Sequence, residues 1–317
     1  MDGVLIIDKP VGLTSHDVVA RVRRILGERR VGHTGTLDPF ATGVLVLLLG
    51  RATRLAQFLV GAEKEYEAVV RLGFAMDTGD ITGKPIGAAG ISERPSLSWT
   101  KQEIEAALHS LGGEIEQVPP MYSAKKQGGR KLYELARRGQ EVEREAVRVT
   151  IYALEAVPSA AGSLTKNRDV TTDICIRVVC SAGTYVRTLA EDFGKRLGVG
   201  AHLAELRRTR AGDFRVKNAL SLEQLQELVT RESLSAVLLS PDAALQRLPF
   251  VSLTTIDVGR TLQGLPLKLE TEPESISGAG DYIRMRDEAG KLIAVGTYDL
   301  EEQLIRPRVV LAAERTG

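Results

Sequence analysis

Cysteine and aromatic residues are scarce in this chain of 317 residues, and long hydrophobic runs are absent. The two cysteines, Cys175 and Cys180, are too few for a disulfide scaffold, and their odd spacing in a predicted strand directs them to opposite faces. Aromatic residues make up only 4%, so the core must be built from Leu, Val, Ile and Ala. The longest apolar run, residues 44–49, is far shorter than the ~20 residues of a membrane span. No signal peptide is recognisable at the N-terminus, and we expect a cytoplasmic protein without a membrane partner.

Basic and acidic residues almost cancel, 42 against 41, so the composition does not indicate a globally basic nucleic-acid binder. The charges are nevertheless unevenly distributed along the chain. Residues 121–148 and residues 184–217 each hold eight basic and four acidic side chains, whereas residues 270–302 hold three basic and nine acidic ones. This pattern indicates a basic body and an acidic tail, although a single charge run is more often only a solvated surface.

Strand-like and helix-like patterns are mixed without the regular βαβ rhythm of a doubly wound fold. A helical pattern ends at Gly27, and residues 64–73 alternate as a strand with Tyr66 on the apolar side. A helix is expected over about residues 52–60, and Thr100 and Ser221 each open a capping box before a further helix. The sequence therefore predicts an α+β fold with a mixed or antiparallel central sheet flanked by helices.

The sequence pattern changes at about Phe250, where short β-like runs begin to alternate with Gly, Pro and Asp turns. We therefore predict two domains, residues 1–248 and residues 249–317, of which the second is small and rich in β-strands. The basic segment at about 121–148 is predicted to be a thumb-like insertion in the first domain.

Several kinds of chemistry are excluded by missing motifs. No GxGxxG follows a strand, no Gly-Lys precedes Ser or Thr as in a P-loop, and no G-x-S-x-G elbow occurs. The four histidines and two cysteines lack the spacing of metal ligands. We expect neither a cofactor nor a metal ion.

The segment from Gly32 to Gly43 is the strongest candidate for a functional loop, because its Gly, Thr and Pro content predicts tight turns and no regular structure. Asp38 lies in its middle, and Pro39 favours an extended backbone that presents the Asp38 side chain. From spacing alone, Asp38 is as readily a turn-capping residue as a catalytic carboxylate.

The residues from Arg30 to Leu45 read R-V-G-H-T-G-T-L-D-P-F-A-T-G-V-L and resemble the signature of the bacterial tRNA pseudouridine synthase B family. Four further segments match this family in order, and the resemblance spans roughly residues 3–240. They are Leu5-x-x-Asp8-Lys9-Pro10-x-Gly12-x-Thr14-Ser15; Lys64-x-Tyr66 with Leu72-Gly73 and Asp77-Thr78-x-Asp80-x-x-Gly83; Pro119-Pro120-Met121-Tyr122-Ser123-Ala124; and Cys180-Ser181-x-Gly183-Thr184-Tyr185-x-Arg187-Thr188-Leu189 with Gly200-Ala201-His202-x-x-x-Leu206-Arg207-Arg208.

The resemblance implies a pseudouridine synthase fold and the isomerisation of uridine to pseudouridine at position 55 in the T arm of tRNA. Asp38 would be the catalytic carboxylate, acting as a nucleophile on the sugar or as a base on its 2′ proton; the sequence does not choose between them. Arg187 would pair with Asp38, keep it ionised and orient it. Tyr66 would stack on the target base and offer a hydroxyl for the C5 proton, and Leu206 would complete the apolar pocket. Without the resemblance, Tyr66 reads equally well as a core residue.

The resemblance also implies residues that bind RNA. The target base must be flipped out of a folded loop, and His33 would fill the space that it leaves, although by itself His33 reads as a turn residue. Asp80 would belong to the network around the flipped nucleotides. The side chains expected to hold phosphates are Arg54, Lys125, Lys126, Arg130 and Lys131.

The C-terminal segment resembles the small RNA-binding PUA domain through Gly264-Leu265-Pro266 and its strand pattern, but its acidic charge departs from an RNA-binding surface. The expected partner is the tRNA T arm, without guide RNA, and a monomer is expected. Two other hypotheses remain: an RNA-binding or tRNA-folding chaperone on the same scaffold, and a relative of the archaeal and eukaryotic enzymes that work with guide RNA.

Overall fold

The computed structural model describes residues 1–86, 98–123, 125–136, 138–140, 142–158, 164–167, 171–268 and 281–311. Residues 270–280 of the acidic run 270–302, residues 159–163 and 168–170, and the side chains of Lys126 and Lys131 lie outside this description.

The described residues form strands β1 to β19 in chain order. Their bounds are Gly3–Lys9, Val31–Thr34, Thr42–Leu49, Lys64–Leu72, Ala75–Met76, Pro85–Ile86, Gly113–Gln117, Lys126–Gln127, Arg130–Lys131, Val147–Ala156, Leu164–Lys166, Thr172–Cys180, Ala201–Ala211, Phe214–Arg215, Phe250–Leu253, Leu267–Lys268, Tyr282–Asp287, Leu292–Asp299 and Leu304–Val310. Helices α1 to α7 are Ser15–Leu26, Ala56–Leu59, Lys101–His109, Leu132–Ala136, Val186–Arg196, Leu222–Thr230 and Thr255–Leu262.

The central sheet has the strand order β1-β3-β13-β4-β12-β10-β7, with β2, β11 and β14 paired to its members. All of its pairs are antiparallel except β13 with β3, which confirms the predicted mixed sheet. In β4 the alternating residues from Lys64 to Leu72 are buried, as predicted, and they include Tyr66. The strand patterns therefore identify which side of β4 faces the core.

Strand β3 has no polar face because both of its sides are covered. Leu45, Leu47 and Leu49 pack in one cluster with residues of α1 and α6. The alternate residues of β3, among them Val46, pack in a second cluster with Phe214 and Ala244. Burial on both faces explains why β3 is a continuous apolar run rather than an alternating one.

Two local predictions are wrong. The segment before Asp38 was expected to lack regular structure, but Val31–Thr34 forms β2, which pairs with β3 over the register Val31↔Leu49 to Thr34↔Val46. Pairing with a long buried neighbour outweighs the weak strand propensity of Gly32. The helix expected over residues 52–60 is a 3₁₀ turn, Gly50–Leu55, followed by the single turn of α2.

Three helices begin at reciprocal caps. Thr14, Thr100 and Ser221 each accept a hydrogen bond from the backbone three residues on, while the side chain at that position bonds back to the cap. The capping boxes predicted at Thr100 and Ser221 are thus confirmed. The cap at Thr14 matters for function, because it fixes the start of α1 close to the loop that carries Asp38.

The C-terminal sheet has the order β15-β17-β18-β19-β16, and its strands confirm the β-like runs predicted beyond Phe250. Helix α7 packs with this sheet and was not predicted. An apolar cluster joins the two sheets through the 3₁₀ turn that follows β3: Ala52 and Leu55 of this turn pack with Val295 of β18 and Val309 of β19. The domain boundary at residue 248 stays a prediction. In the described ranges, no helix is both long enough and apolar enough to cross a membrane.

Candidate active site

Asp38 lies in the connection between β2 and β3, and this connection is held against the β1–α1 turn. The buried Lys9 ammonium donates to the carbonyl oxygens of Pro10, Leu13 and Pro39 at 2.9, 2.7 and 3.3 Å. Ser15 Oγ accepts a hydrogen bond from the Leu37 amide at 2.9 Å. These contacts fix the backbone on both sides of Asp38, so its carboxylate is presented from a rigid loop.

Arg187, in the first turn of α5, is paired with the Asp38 carboxylate. Its Nε lies 3.0 Å from Asp38 Oδ2, and its Nη2 donates to Asp38 Oδ1 at 3.3 Å. The guanidinium is only 4% exposed and also donates to the carbonyls of Thr78 at 2.9 Å and Tyr122 at 2.7 Å. The two-point contact fixes both the position and the orientation of the carboxylate.

A second carboxylate, Asp80, lies on the other side of the same guanidinium. Its Oδ2 is 3.7 Å from Arg187 Nη1, and its Oδ1 accepts hydrogen bonds from Thr78 Oγ1 at 3.0 Å and the Thr82 amide at 2.9 Å. Asp80 is buried and Asp38 is about one-third exposed, so Asp38 is the more accessible carboxylate of the two. The structure therefore places Asp80 behind Arg187.

Burial is the largest influence on the Asp38 carboxyl and raises its pKa above the usual range. The Arg187 guanidinium opposes this effect, and the neighbouring Asp80 charge adds to it. A raised carboxyl pKa together with an ion-pair partner in a cavity is typical of a functional acid or base.

A cavity of about 240 Å³ opens beside Asp38 and is lined by Tyr66, Leu206 and Arg187. Tyr66 is buried on β4, and burial raises the pKa of its hydroxyl. Leu206 is buried on β13 and contributes apolar surface. The cavity thus brings together the four residues for which the sequence predicts roles in chemistry or base contact.

A second cavity, of about 470 Å³, adjoins Asp38 on the side of α1 and is lined by His16, Phe40, Asp80 and Tyr122. Asp38 and Arg187 line both cavities and stand between them. The Asp38 carboxylate therefore borders a cavity on each of two sides.

Among the side chains that the structure describes, those predicted to hold phosphates or to fill the vacated stack do not, unlike Asp80, line either cavity. His33 is half-buried on β2, with its ring edge-on to His16 at a centroid distance of 5.5 Å. Arg54 is exposed and donates to the Val310 carbonyl, so it lies where the two sheets meet. Lys125 and Arg130 are exposed at a hairpin of β8 and β9, whose turn residues Gly128 and Gly129 both have positive φ.

Three residues of the site were missed as functional candidates, although each stands in a motif quoted above. Lys9 holds the Asp38 loop, Tyr185 lines the cavity, and Arg208 is buried beside Tyr66. Arg208 follows Leu206 by two residues on one strand, and that spacing was the available signal for a shared face. Among the described residues, no group of His, Cys, Asp and Glu suits a metal ion.

Comparison with known families agrees with this geometry. Residues 23–186 match the model of the TruB family pseudouridylate synthase N-terminal domain, and residues 187–246 match that of the tRNA pseudouridylate synthase B C-terminal domain. The chain therefore belongs to the TruB family of pseudouridylate synthases and is an enzyme of that class. The resemblance inferred from the motifs is confirmed.

Two relatives named tRNA pseudouridine synthase B share 46% identity with the chain. The one from Aromatoleum aromaticum aligns over 98% of this chain and 93% of its own length, and the one from Geobacillus kaustophilus over 90% and 97%. An archaeal box H/ACA sRNP Nop10-Cbf5 complex contains a similar chain, with a TM-score of 0.71 and 26% identity over 99% of this chain and 87% of that one. A chain in an H/ACA RNP bound to a substrate RNA containing 2′-deoxyuridine gives a TM-score of 0.72 at 26% identity, covering 99% of this chain and 86% of that one.

Proposed function

We propose that this enzyme isomerises the uridine at position 55 of the tRNA T loop to pseudouridine, with Asp38 as the catalytic carboxylate. The observation that carries the proposal is the Asp38–Arg187 ion pair at the edge of a cavity that Tyr66 and Leu206 also line. The names of the most similar relatives support tRNA as the substrate.

The reaction cleaves the bond between C1′ and N1, rotates the uracil and joins C1′ to C5. Asp38 serves it as an ionised carboxylate, either by attacking the sugar or by removing its 2′ proton. Arg187 supports both routes, because its two contacts hold the carboxylate charged and in one orientation. The isomerisation consumes no co-substrate, since the atoms of the product are those of the substrate.

The detached base must remain in the cavity while it turns. Tyr66 offers a ring face for stacking and a hydroxyl for proton transfer, and Leu206 offers apolar surface that makes no fixed hydrogen bond to the base. A surface without fixed polar partners lets the uracil rotate, whereas the Asp38 side keeps the sugar in place.

The target base lies in a folded loop, so the RNA must open before the reaction, at a cost of a few kcal/mol. His33, on the strand before Asp38, is proposed to fill the vacated stack. Lys125, Lys126 and Arg130 are proposed to hold phosphates from the β8–β9 hairpin, and Arg54 from the junction of the sheets. Such contacts position RNA without reading its sequence.

The test is to incubate the purified protein with an unmodified tRNA transcript and map pseudouridine along it. We expect a single new pseudouridine at position 55, and none in a transcript that carries cytidine there. Modification at another uridine would contradict the proposed position, and no modification would contradict the substrate.

The solved H/ACA structures favour a second candidate, in which the protein acts only with a guide RNA and partner proteins. The higher identity to the tRNA enzymes, 46% against 26%, supports the first candidate. Activity of the protein alone on tRNA excludes the guide-dependent function. A pure RNA chaperone would bind the transcript and leave its uridines unchanged.

A further inference from the structure

Arg208 is a charged residue of the cavity that the reaction described above does not use. It lies on β13, lines the cavity beside Asp38 and is only 1% exposed. Burying a guanidinium is unfavourable unless its donors are satisfied. The contacts that satisfy them therefore indicate what Arg208 does.

Two of these contacts anchor the guanidinium to the catalytic loop and strand. Arg208 Nε donates to the Val44 carbonyl at 2.8 Å, and its Nη2 donates to the Gly35 carbonyl at 3.0 Å. Gly35 has φ +80° and lies against Nη1, where an added Cβ would be 3.5 Å away. Gly43 has φ +100°, and a Cβ there would collide with the Arg208 backbone. The two loop glycines allow the chain to close tightly around Arg208.

The third neighbour of the Arg208 guanidinium is Tyr66. Arg208 stands directly opposite Tyr66 in the register of β13 and β4, and both residues line the cavity. The positive charge and donor groups of Arg208 act to lower the pKa of the Tyr66 hydroxyl, against the larger effect of burial, which raises it. A guanidinium only donates, so Arg208 can hold the Tyr66 hydroxyl only through its oxygen.

Lys64 is a second cation of this cavity, but two of its three donors already bind backbone carbonyls. Its Nζ donates to the carbonyls of Val60 at 2.7 Å and Ala62 at 2.6 Å. Burial and the nearby Arg208 charge lower the pKa of Lys64 to about 8. Arg208 is therefore the cation that is placed to act on the Tyr66 oxygen.

We propose that Arg208 is a positioning residue that fixes the Tyr66 hydroxyl in the cavity and favours its deprotonated form when Tyr66 removes the C5 proton. This inference rests on the proposed function. The contacts to Gly35 and Val44 hold the guanidinium in place, and the contact to Tyr66 is the one that acts on the reaction.

The removal of the C5 proton conserves atoms, protons and electrons. After C1′ is joined to C5, that carbon still carries its hydrogen and N1 is bonded to C6 by a double bond. The Tyr66 phenolate takes the C5 proton, the electrons of the C–H bond form the C5–C6 double bond, and the electrons of the C6–N1 double bond move to N1. N1 then takes a proton from water, and the Tyr66 phenol returns its proton to water. Arg208 stabilises the phenolate without exchanging a proton itself.

The test is a double-mutant cycle of Arg208→Gln and Tyr66→Phe, read as single-turnover pseudouridine formation at saturating tRNA. Arg208→Gln alone is expected to lower the rate about 100-fold, within the range of general acid–base effects, with little change in tRNA affinity. In the Tyr66→Phe background the same change is expected to cost no further rate, because the group through which Arg208 acts is gone. Arg208→Lys is expected to recover part of the rate, since a lysine keeps the charge but cannot reach all three oxygens.

Arg207→Gln is the matched control, because Arg207 is the adjacent arginine but pairs with Asp8 at 2.6 Å. It is expected to leave the rate unchanged. If the losses from Arg208→Gln and Tyr66→Phe multiply, or if Arg208→Gln leaves the rate unchanged, the inference is overturned. Should Arg208→Gln fail to fold, Arg208→Lys in both backgrounds gives the same cycle. Failure of the unsubstituted enzyme to form pseudouridine would instead overturn the proposed function.

Discussion

The cavity around Asp38 and the hairpin of β8 and β9 both use charged residues, but in opposite ways. Arg187 is almost fully buried, with every contact aimed at a carboxylate or a carbonyl. Lys125 and Arg130 are exposed beside a Gly-Gly turn. A buried, fully bonded charge can hold one geometry, whereas exposed charges supply attraction that depends on salt. We therefore expect that mutations can change the catalytic rate and the RNA affinity separately.

The largest expected effect on the rate is that of Asp38→Asn. The amide cannot attack the sugar or take its proton, so isomerisation should be abolished. Binding should remain within about tenfold, because phosphate contacts elsewhere supply most of the affinity. The measurement is pseudouridine formation beside a tRNA binding titration, with Asp77→Asn as the control, since Asp77 is exposed. Measurable turnover by Asp38→Asn would contradict the assignment.

Removing the partner of Asp38 is expected to have the next largest effect. Arg187→Gln should lower the single-turnover rate by about 100-fold or more, because the carboxylate loses its two-point contact. Tyr122 and Thr78 also lose a donor, so the melting temperature must be measured in parallel. A rate near that of the unsubstituted enzyme would show that the pair does not operate in solution.

The dependence of activity on pH is expected to report the ionisation of Asp38 and the influence of Arg187 on it. Burial raises the pKa of Asp38, so activity should be lost on acidification at a pH above the ~3.9 of an ordinary aspartate. Activity needs the ionised form and is therefore present above this pKa and absent below it. Arg187 lowers the pKa, so Arg187→Gln should move the acid limb to higher pH. If the acid limb of the pH–rate profile lies at the same pH in Arg187→Gln as in the unsubstituted enzyme, a group other than Asp38 titrates there.

The smallest effect on the chemical rate is expected from the basic hairpin. Neutralising Lys125, Lys126 and Arg130 together should weaken tRNA binding and flatten its salt dependence by roughly one unit or less per lost phosphate contact. The rate at saturating tRNA should change little. A salt titration of binding is the measurement, and an unchanged slope would show that these residues face only solvent.

The sequence predicts the elements around the site better than their contacts. The apolar pattern of β4 identifies the buried side of Tyr66, and the motifs identify the family. Strand β2 escapes prediction because its pairing with β3 compensates for its glycine. The position of Arg208 opposite Tyr66 depends on the register of β13 against β4, which joins residues far apart in the chain, whereas its spacing from Leu206 predicts only a shared face. Asp80 likewise reaches Arg187 only through the fold.

The most direct test of this separation is to measure the single-turnover rate at saturating tRNA and the tRNA dissociation constant for Asp38→Asn and for the triple hairpin variant in the same buffers. The structure predicts that Asp38→Asn loses the rate and keeps most of the affinity, and that the hairpin variant loses affinity and keeps most of the rate. Equal losses of rate and affinity in Asp38→Asn, or a lost rate at saturation in the hairpin variant, would contradict it.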